Sequence, residues 1–254
     1  AIVMHYLVTF GTEQQKSRWL PKLVSGELVS AIAMTEPGCG SDLKAVATTA
    51  KRDGESFIIN GSKTFITNGQ TADLICVVVK TDLSAGARGT SLIFVETQHA
   101  KGFQRGRNLK KLGMKGNDTS ELFFEDVRVP VENLLGGIEG QGFYQLMNQL
   151  PWERTMIGIT ALGAMDCGLQ LTIDYVRQRK AFDQPIMAFQ NTRFKLAEMK
   201  TKVEVTRSFI NDCVAKLIDG SLDPATASMA KYWGSQVQNE VLDECVQLHG
   251  GYGY

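Results

Sequence analysis

The sequence carries no net charge. Its 27 Lys and Arg balance 27 Asp and Glu, so no long-range field draws it to nucleic acid or to an anionic membrane. Cysteine is scarce and lacks a pairing pattern. Cys39, Cys76, Cys167, Cys213 and Cys245 make an odd count of five with no CxxC, which argues against a disulfide framework and for a reducing compartment. His5, His99 and His249 stand far apart, and none has zinc-type spacing to a cysteine. No metal is therefore expected. No apolar run reaches the length of a membrane span. The opening AIVMHYLVTFG lacks a basic n-region, a cleavage site and an initiator Met, so it reads as the interior of a longer chain and not as a signal peptide.

Nucleotide and hydrolase signatures are missing as well. There is no Walker A sequence and no G-x-S-x-G elbow, which leaves P-loop hydrolysis and α/β-hydrolase chemistry without support. EPGCGSDLKA holds half of a dinucleotide fingerprint at Gly38-Cys39-Gly40, but Leu43 takes the place of the third glycine. As a Rossmann signal it fails; by itself it reads as a glycine turn after a strand.

What is present is globular: 254 residues, 43% of them apolar, enough for a large core and one or two domains. Ala1–Gly26 reads helical. Thr12 is placed to cap a helix running to Val24, Gly26 to end it, and Pro21 to mark a kink or a boundary. From Leu28 the pattern turns to short β-rich runs: LVSAIAMT, ESFIINGSKTFIT, DLICVVVK, TSLIFVE and ELFFEDVRV. Asn60-Gly61 predicts a hairpin turn. No helical stretch separates the runs as βαβ units would need, so an antiparallel sheet or barrel is expected. From Glu139 the period is helical. One long segment runs toward Lys180 past Pro151. A second follows Pro185, with Met199, Val203, Ile210, Val214 and Leu217 on one stripe and Gly220 at its end. A third opens at the Asp223-Pro224 cap and ends at Gly250-Gly251. The expected class is α+β and multidomain. Residues 1–29 end an N-terminal helical domain, 30–136 form a β middle domain, and 137–254 form a C-terminal helical bundle of four-helix type.

Four segments admit two readings each. The basic run Lys101–Lys115 is either a solvated loop face or a landing place for an anionic ligand tail. In YVRQRKAFDQPI, the basic cluster either complements a helix dipole or places an arginine on a pyrophosphate, with Phe182 beside a ring system. In QLHGGYGY, the paired glycines either cap a helix or let backbone approach a ligand. In QLPWERTMIGI, Glu153 is either a first-turn acid favoured by the dipole or a desolvated general base. Its helical neighbours Gln149, Met156 and Ile157 bring no cation to its face, and adjacent Arg154 does not share that face.

Taken together, AMTEPGCGSD, INGSKTFITNG, LFFEDVRVP, RKAFDQP and VQLHGGYGY resemble, in order and separation, the motifs of the acyl-CoA dehydrogenases. The likeness covers essentially the whole chain and extends to the long-chain type through PWER, VTRSF and MAKYW. It implies a helical, β and four-helix domain order, a homotetramer with FAD at subunit contacts, and conversion of a fatty acyl-CoA to a trans-2-enoyl-CoA in β-oxidation. Electrons would pass to an electron-transfer flavoprotein. The location would be cytoplasmic in a bacterium and the mitochondrial matrix in a eukaryote.

Carried across by motif, Ile32, Ala33, Met34, Thr35, Gly40 and Ser41 are expected at the flavin and thioester. Phe65, Ile66 and Thr67 are expected at the isoalloxazine, with Thr67 at its N5 edge. Arg179, Phe182 and Gln190 are expected along the diphosphate and adenosine part. Gln247, Leu248, His249, Gly250 and Gly251 match a loop donated by another subunit. Ser41, Ala87, Arg88, Tyr144, Pro151, Trp152, Glu153 and Arg154 are expected near acyl-CoA. Phe189 departs from the histidine of relatives. Glu153 matches the base of long-chain and isovaleryl-type relatives, and the family's other base position, beyond Tyr254, is expected to hold a small residue such as Gly. Gly158, Ala161 and Gly163 are expected to leave room for an acyl chain. Three other readings stand beside this one: a branched short-chain (isovaleryl-type) dehydrogenase, an acyl-CoA oxidase, and a non-catalytic acyl-CoA or flavin binding protein.

Overall fold

The computed structural model describes residues 2–254, so Ala1, where the first helical segment was expected to begin, lies outside the described residues. The chain forms two compact units, Ala1–Met147 and Asn148–Tyr254.

In the first unit, α1 (Ile2–Phe10) and α2 (Glu13–Ser25) precede the sheet. The capping box is closed in both directions: the Thr12 hydroxyl accepts from the Gln15 N–H at 3.2 Å, and Gln15 Oε1 accepts from the Thr12 N–H at 3.1 Å. Gly26 ends α2 at φ 79°, a left-handed conformation suited to glycine. Pro21 lies inside the helix and not at a boundary. Gln15, Trp19 and Leu23, buried along one face, hold the helix together across the lost backbone bond. Gln15 also donates to the carbonyls of Glu132 and Leu134, and Trp19 Nε1 donates to Glu96 at 2.9 Å. These ties dock α2 on the β structure.

The strands are β1 (Ser30–Ala33), β2 (Thr49–Asp53), β3 (Ser56–Thr67), β4 (Leu74–Lys80), β5 (Thr90–Glu96), β6 (Phe103–Asn108) and β7 (Thr119–Pro130). They form one sheet in the order β1-β4-β2-β3-β7-β6, with β5 also on β4. The expected antiparallel pairing holds for β2–β3, β3–β7, β4–β5 and β6–β7. β1–β4 is parallel, as is the single pair Thr49↔Lys80. A parallel pair needs a long crossover, and here β2 and β3 supply it in place of a helix. Every residue of β4 is buried. Ile75, Val77 and Val79 enter one core with Ile59, Leu122 and Phe124, while Leu74, Cys76 and Val78 enter the other with Leu7, Trp19 and Phe94.

The hairpin expected at Asn60-Gly61 is absent: both residues lie inside β3, and the turn is at Gly54-Glu55 between Asp53 and Ser56. Gly61, at φ 150°, serves a close approach. A Cβ there would stand 2.5 Å from Thr48 Oγ1 and 2.8 Å from Thr48 Cα. The Asn60 side chain is bonded on both ends to Asp126.

α3 (Gly142–Gln178) begins in the first unit and continues into the second, running through Pro151 without a break in the assignment. A short hairpin, β8 (Lys180–Ala181) and β9 (Gln184–Pro185), leads to α4 (Gln190–Ile218), and α5 (Pro224–His249) closes the unit. Asp223 caps α5 by accepting from the Ala225 and Thr226 N–H groups, each at 2.9 Å. Leu162, Met165, Leu169, Met199, Val203, Ile210, Val237 and Val241 make the bundle core. VTRSF and MAKYW meet there: Trp233 Nε1 donates to Thr206 Oγ1 at 3.0 Å.

One expectation about α3 is corrected, and it concerns Gly158. By length and composition α3 passes as a membrane-span candidate, with mean hydropathy 1.4 over its most apolar stretch, but Asp166 and Gln170 interrupt its apolar run. The same apolarity supplies Leu162, Met165, Leu169 and Val176 to the bundle core. Gly158 does not open room for a ligand. A Cβ there would lie 2.7 Å from Ile210 Cδ1 and 3.1 Å from the Ala230 carbonyl oxygen. Gly158 and buried Ala161 pack against Gly234 of α5 instead. Gly163 has open space around its Cα.

Candidate flavin cleft and base

A cleft of 360 Å³ in the first unit is lined by Ile32, Met34 and Thr35 on one side and Phe65, Ile66 and Thr67 on the other. β1 has one strand neighbour, β4, and on its other edge the Ser30 and Met34 carbonyls accept from Asn68 and Lys63. β3 loses register with β7 between Lys63 and Ile66. In that bulge Phe65 adopts φ 59° and is 66% exposed. An aromatic residue in the left-handed region is an outlier held by its surroundings, and such outliers gather at functional sites.

Ala33 does not reach the cleft by its side chain. Strand alternation turns it the other way, and it is buried in the sheet core. Gly40 and Ser41 also lie off the cleft lining, in an exposed loop after the Glu36–Cys39 bridge. Five lining residues were not singled out beforehand: Ile2 and Val3 of α1, Ser30 and Ala31, which lie outside the motifs, and Asn68, which lies in INGSKTFITNG. Asn68 alone carried a local signal, Asn-Gly. It sits at φ 62° and donates to the Ser30 carbonyl at 3.1 Å.

Ala87 and Arg88 lie in a helical turn, Gly86–Gly89, with Arg88 exposed. Buried Lys80 braces this loop by donating to the Gly86 carbonyl and to Thr90 Oγ1. Tyr144 is 60% exposed on the first turn of α3. The basic run is largely structural. Part of it is β6; Arg105 donates to the carbonyls of Gly69 and Ala72, and Arg107 pairs with Glu121.

In the second unit, Pro151, Trp152, Glu153 and Arg154 are half-buried on α3. Arg154 donates to Ser228 of α5 at 3.1 Å. Glu153 lies eleven residues after Gly142, the start of the helix. The dipole effect fades within the first turn, so a first-turn role is removed.

One end of this unit gathers the other expected cofactor residues. Exposed Arg179 follows α3; Phe182 tips the hairpin at φ 52°, its ring 6.1 Å from that of Phe189; and Gln190 starts α4. Gln247, Leu248 and His249 finish α5 beside the end of α3, and Gly250 and Gly251 follow in a short helical turn. The His249 ring stacks on Tyr175 at 4.4 Å, and the Tyr175 hydroxyl donates to the His249 carbonyl at 3.3 Å. Among the described residues no cluster of three or more His, Cys, Asp or Glu is placed to hold a metal, and all five cysteines are free.

Family models match the chain from end to end: acyl-CoA dehydrogenase N-terminal domain over residues 1–27, middle domain over 31–127 and C-terminal domain over 140–254. The chain belongs to the acyl-CoA dehydrogenase family. It is 51% identical over its whole length to the mitochondrial long-chain specific acyl-CoA dehydrogenase of Rattus norvegicus, of which it spans 59%. An acyl-CoA dehydrogenase from Geobacillus kaustophilus superposes on 99% of the chain with TM-score 0.93 and 49% identity, the match covering 66% of that structure. A Mycobacterium smegmatis glutaryl-CoA dehydrogenase in complex with FADH2 matches 99% of the chain and 63% of its own, with TM-score 0.89 and 32% identity. This family member is known with a reduced flavin.

Proposed function

We propose that the chain carries the flavin cleft and the base of an FAD-dependent enzyme that converts a fatty acyl-CoA to its trans-2-enoyl-CoA in β-oxidation. The carrying observation is Glu153, a half-buried carboxylate in mid-helix, at the position of the base in long-chain relatives.

The cleft suits FAD by its chemistry. It offers apolar walls (Ile32, Met34, Ile66), an exposed ring (Phe65) and two hydroxyls (Thr35, Thr67) for the polar rim of a flat heterocycle. Bound FAD would supply the acceptor for the hydride from the substrate β-carbon. Glu153 takes the α-proton. A carboxylate is far too weak a base for an unassisted carbon acid, so donors must stabilise the thioester oxygen as negative charge develops there. Water leaving as the acyl chain enters strengthens Glu153 as a base.

A second copy completes each site in this reading. From Glu153 to Gln178, α3 advances about 37 Å at 1.5 Å per residue. An extended FAD is shorter than that, so the Arg179, Phe182 and His249 end would serve a flavin whose ring lies at another subunit, as a homotetramer provides. Electrons would leave to an electron-transfer flavoprotein. A bacterial source would place the enzyme in the cytoplasm and a eukaryotic one in the mitochondrial matrix.

Anaerobic titration with acyl-CoAs of differing length, followed by flavin absorbance, tests the reading. Bleaching supports dehydrogenation, and binding without bleaching rejects it. Rapid reoxidation of the reduced protein by air would point to an oxidase instead. Arg179→Ala is expected to weaken FAD retention by roughly 1.5–3 kcal/mol, as the loss of a charged phosphate contact. Unchanged FAD affinity on equilibrium dialysis would remove Arg179 from the site.

A further inference from the structure

One buried ion pair lies beneath the cleft and belongs to none of its walls. The Lys63 side chain is 0% exposed and that of Glu36 is 6% exposed, with Nζ to Oε1 at 2.7 Å. Lys63 is the last residue of β3 paired with β7 before the register breaks, and pairing resumes at Ile66. Thr64 and left-handed Phe65 fill the gap. The N-terminal side of this bulge is stitched to one corner. The Thr64 N–H donates to the Thr35 carbonyl at 2.9 Å, and Lys63 Nζ donates to the Met34 carbonyl at 3.1 Å as well as to Glu36. Glu36 in turn accepts from the Ala47 N–H at 2.7 Å and the Thr48 N–H at 3.0 Å. Three stretches of backbone thus converge on one carboxylate.

Burial pulls Lys63 below its ordinary range, with Glu36 opposing. Burial alone would raise Glu36, but hydrogen bonds from Lys63, Thr48 and Ala47 outweigh it and lower its pKa. A buried pair of this kind is weak evidence for stability, since apolar replacements of similar volume are often neutral. What it does supply is a unique arrangement of the backbone around it.

We propose that the Lys63–Glu36 pair positions the flavin cleft, holding the Met34–Thr35 wall at a set separation from the Phe65–Thr67 wall and so fixing the surroundings of the ring. The proposal rests on the FAD reading above. Neither residue touches the ring; both act through Met34, Thr35 and Phe65.

The test uses full-length holoenzyme. Lys63→Met removes the tie to Met34 and Glu36 while keeping most of the side-chain volume. It is expected to raise the Kd for FAD by about tenfold or more, on the scale of one charge-assisted contact. It should also change the visible circular dichroism of the flavin that remains bound. Phe124→Leu, a core truncation in the same sheet, is the control for general destabilisation and should leave both readouts as in wild type. If Lys63→Met does not fold, Lys63→Met/Glu36→Gln removes both charges and is expected to show the same two changes. Wild-type FAD affinity and dichroism in whichever variant folds would overturn the inference alone, as would identical changes in Phe124→Leu. A wild-type protein that takes up no FAD would overturn the flavin reading itself, a result distinct from a yellow wild type with an unaffected variant.

Discussion

Glu153→Gln is expected to bind FAD and acyl-CoA as before and to lose turnover by about 10²–10⁴-fold, the range that a positioned general base contributes. Glutamine matches glutamate in shape but cannot accept the α-proton. Glutamine keeps the length and shape of the side chain and the helix is continuous on both sides, so the fold should persist. The loss should fall on kcat, with substrate affinity preserved. The family's other base position is expected to be non-acidic, because two carboxylates facing one α-carbon in a dry pocket would repel, raising one pKa strongly. Near-normal turnover of Glu153→Gln in the steady state, with a Glu at that other position, would leave Glu153 no catalytic part.

Gly61→Ala is expected to destabilise the first unit by about 2–4 kcal/mol, combining an unfavourable φ with a backbone clash. The added methyl would meet Thr48 at both Cα and Oγ1. Neither β3 nor Thr48 yields easily, because the Thr48 N–H is committed to Glu36 and the Asn60 side chain to Asp126. Gly38→Ala is the matched control, since its Cβ would meet nothing within 4 Å, and it should stay within about 0.5 kcal/mol of wild type. Urea unfolding of the two variants decides the matter. Equal midpoints would mean that β3 and Thr48 separate at little cost.

The two glycines also show why some of the molecule was legible in the sequence and some was not. Helix ends were readable because their determinants are local: Thr12 with Gln15, Gly26, and Asp223 before Pro224 act within one turn. Asn60-Gly61 misled because the need for glycine came from Thr48, which reaches it only through tertiary structure. β2 (TAKRD) and β6 (FQRGRN) escaped notice because most of their side chains face solvent, leaving no apolar alternation. Of the residues that motif likeness carried across, Ile32, Met34, Thr35 and Phe65–Thr67 line one cleft. The likeness also carried along Ala33, whose side chain the pleat turns into the core. Ile2 and Val3 reach the cleft by the docking of α1, and Lys63 meets Glu36 across 27 residues of sequence. Neither event leaves a mark on any short window of residues.

β4 has a consequence for how the first unit breathes. Leu74–Val77 are paired with β1 on one side and β5 on the other, and their side chains close two separate cores. No fraying from an edge can free these amides, because opening them requires both cores to part together. In deuterated water they should be among the last to exchange, at the free energy of global unfolding. β6, at the border of the sheet and mostly solvated, should exchange early by local fluctuation. β1 is hydrogen-bonded directly to β4, so one wall of the cleft is fastened to the least mobile strand of the unit. The cleft should therefore keep its shape while the outer strands loosen.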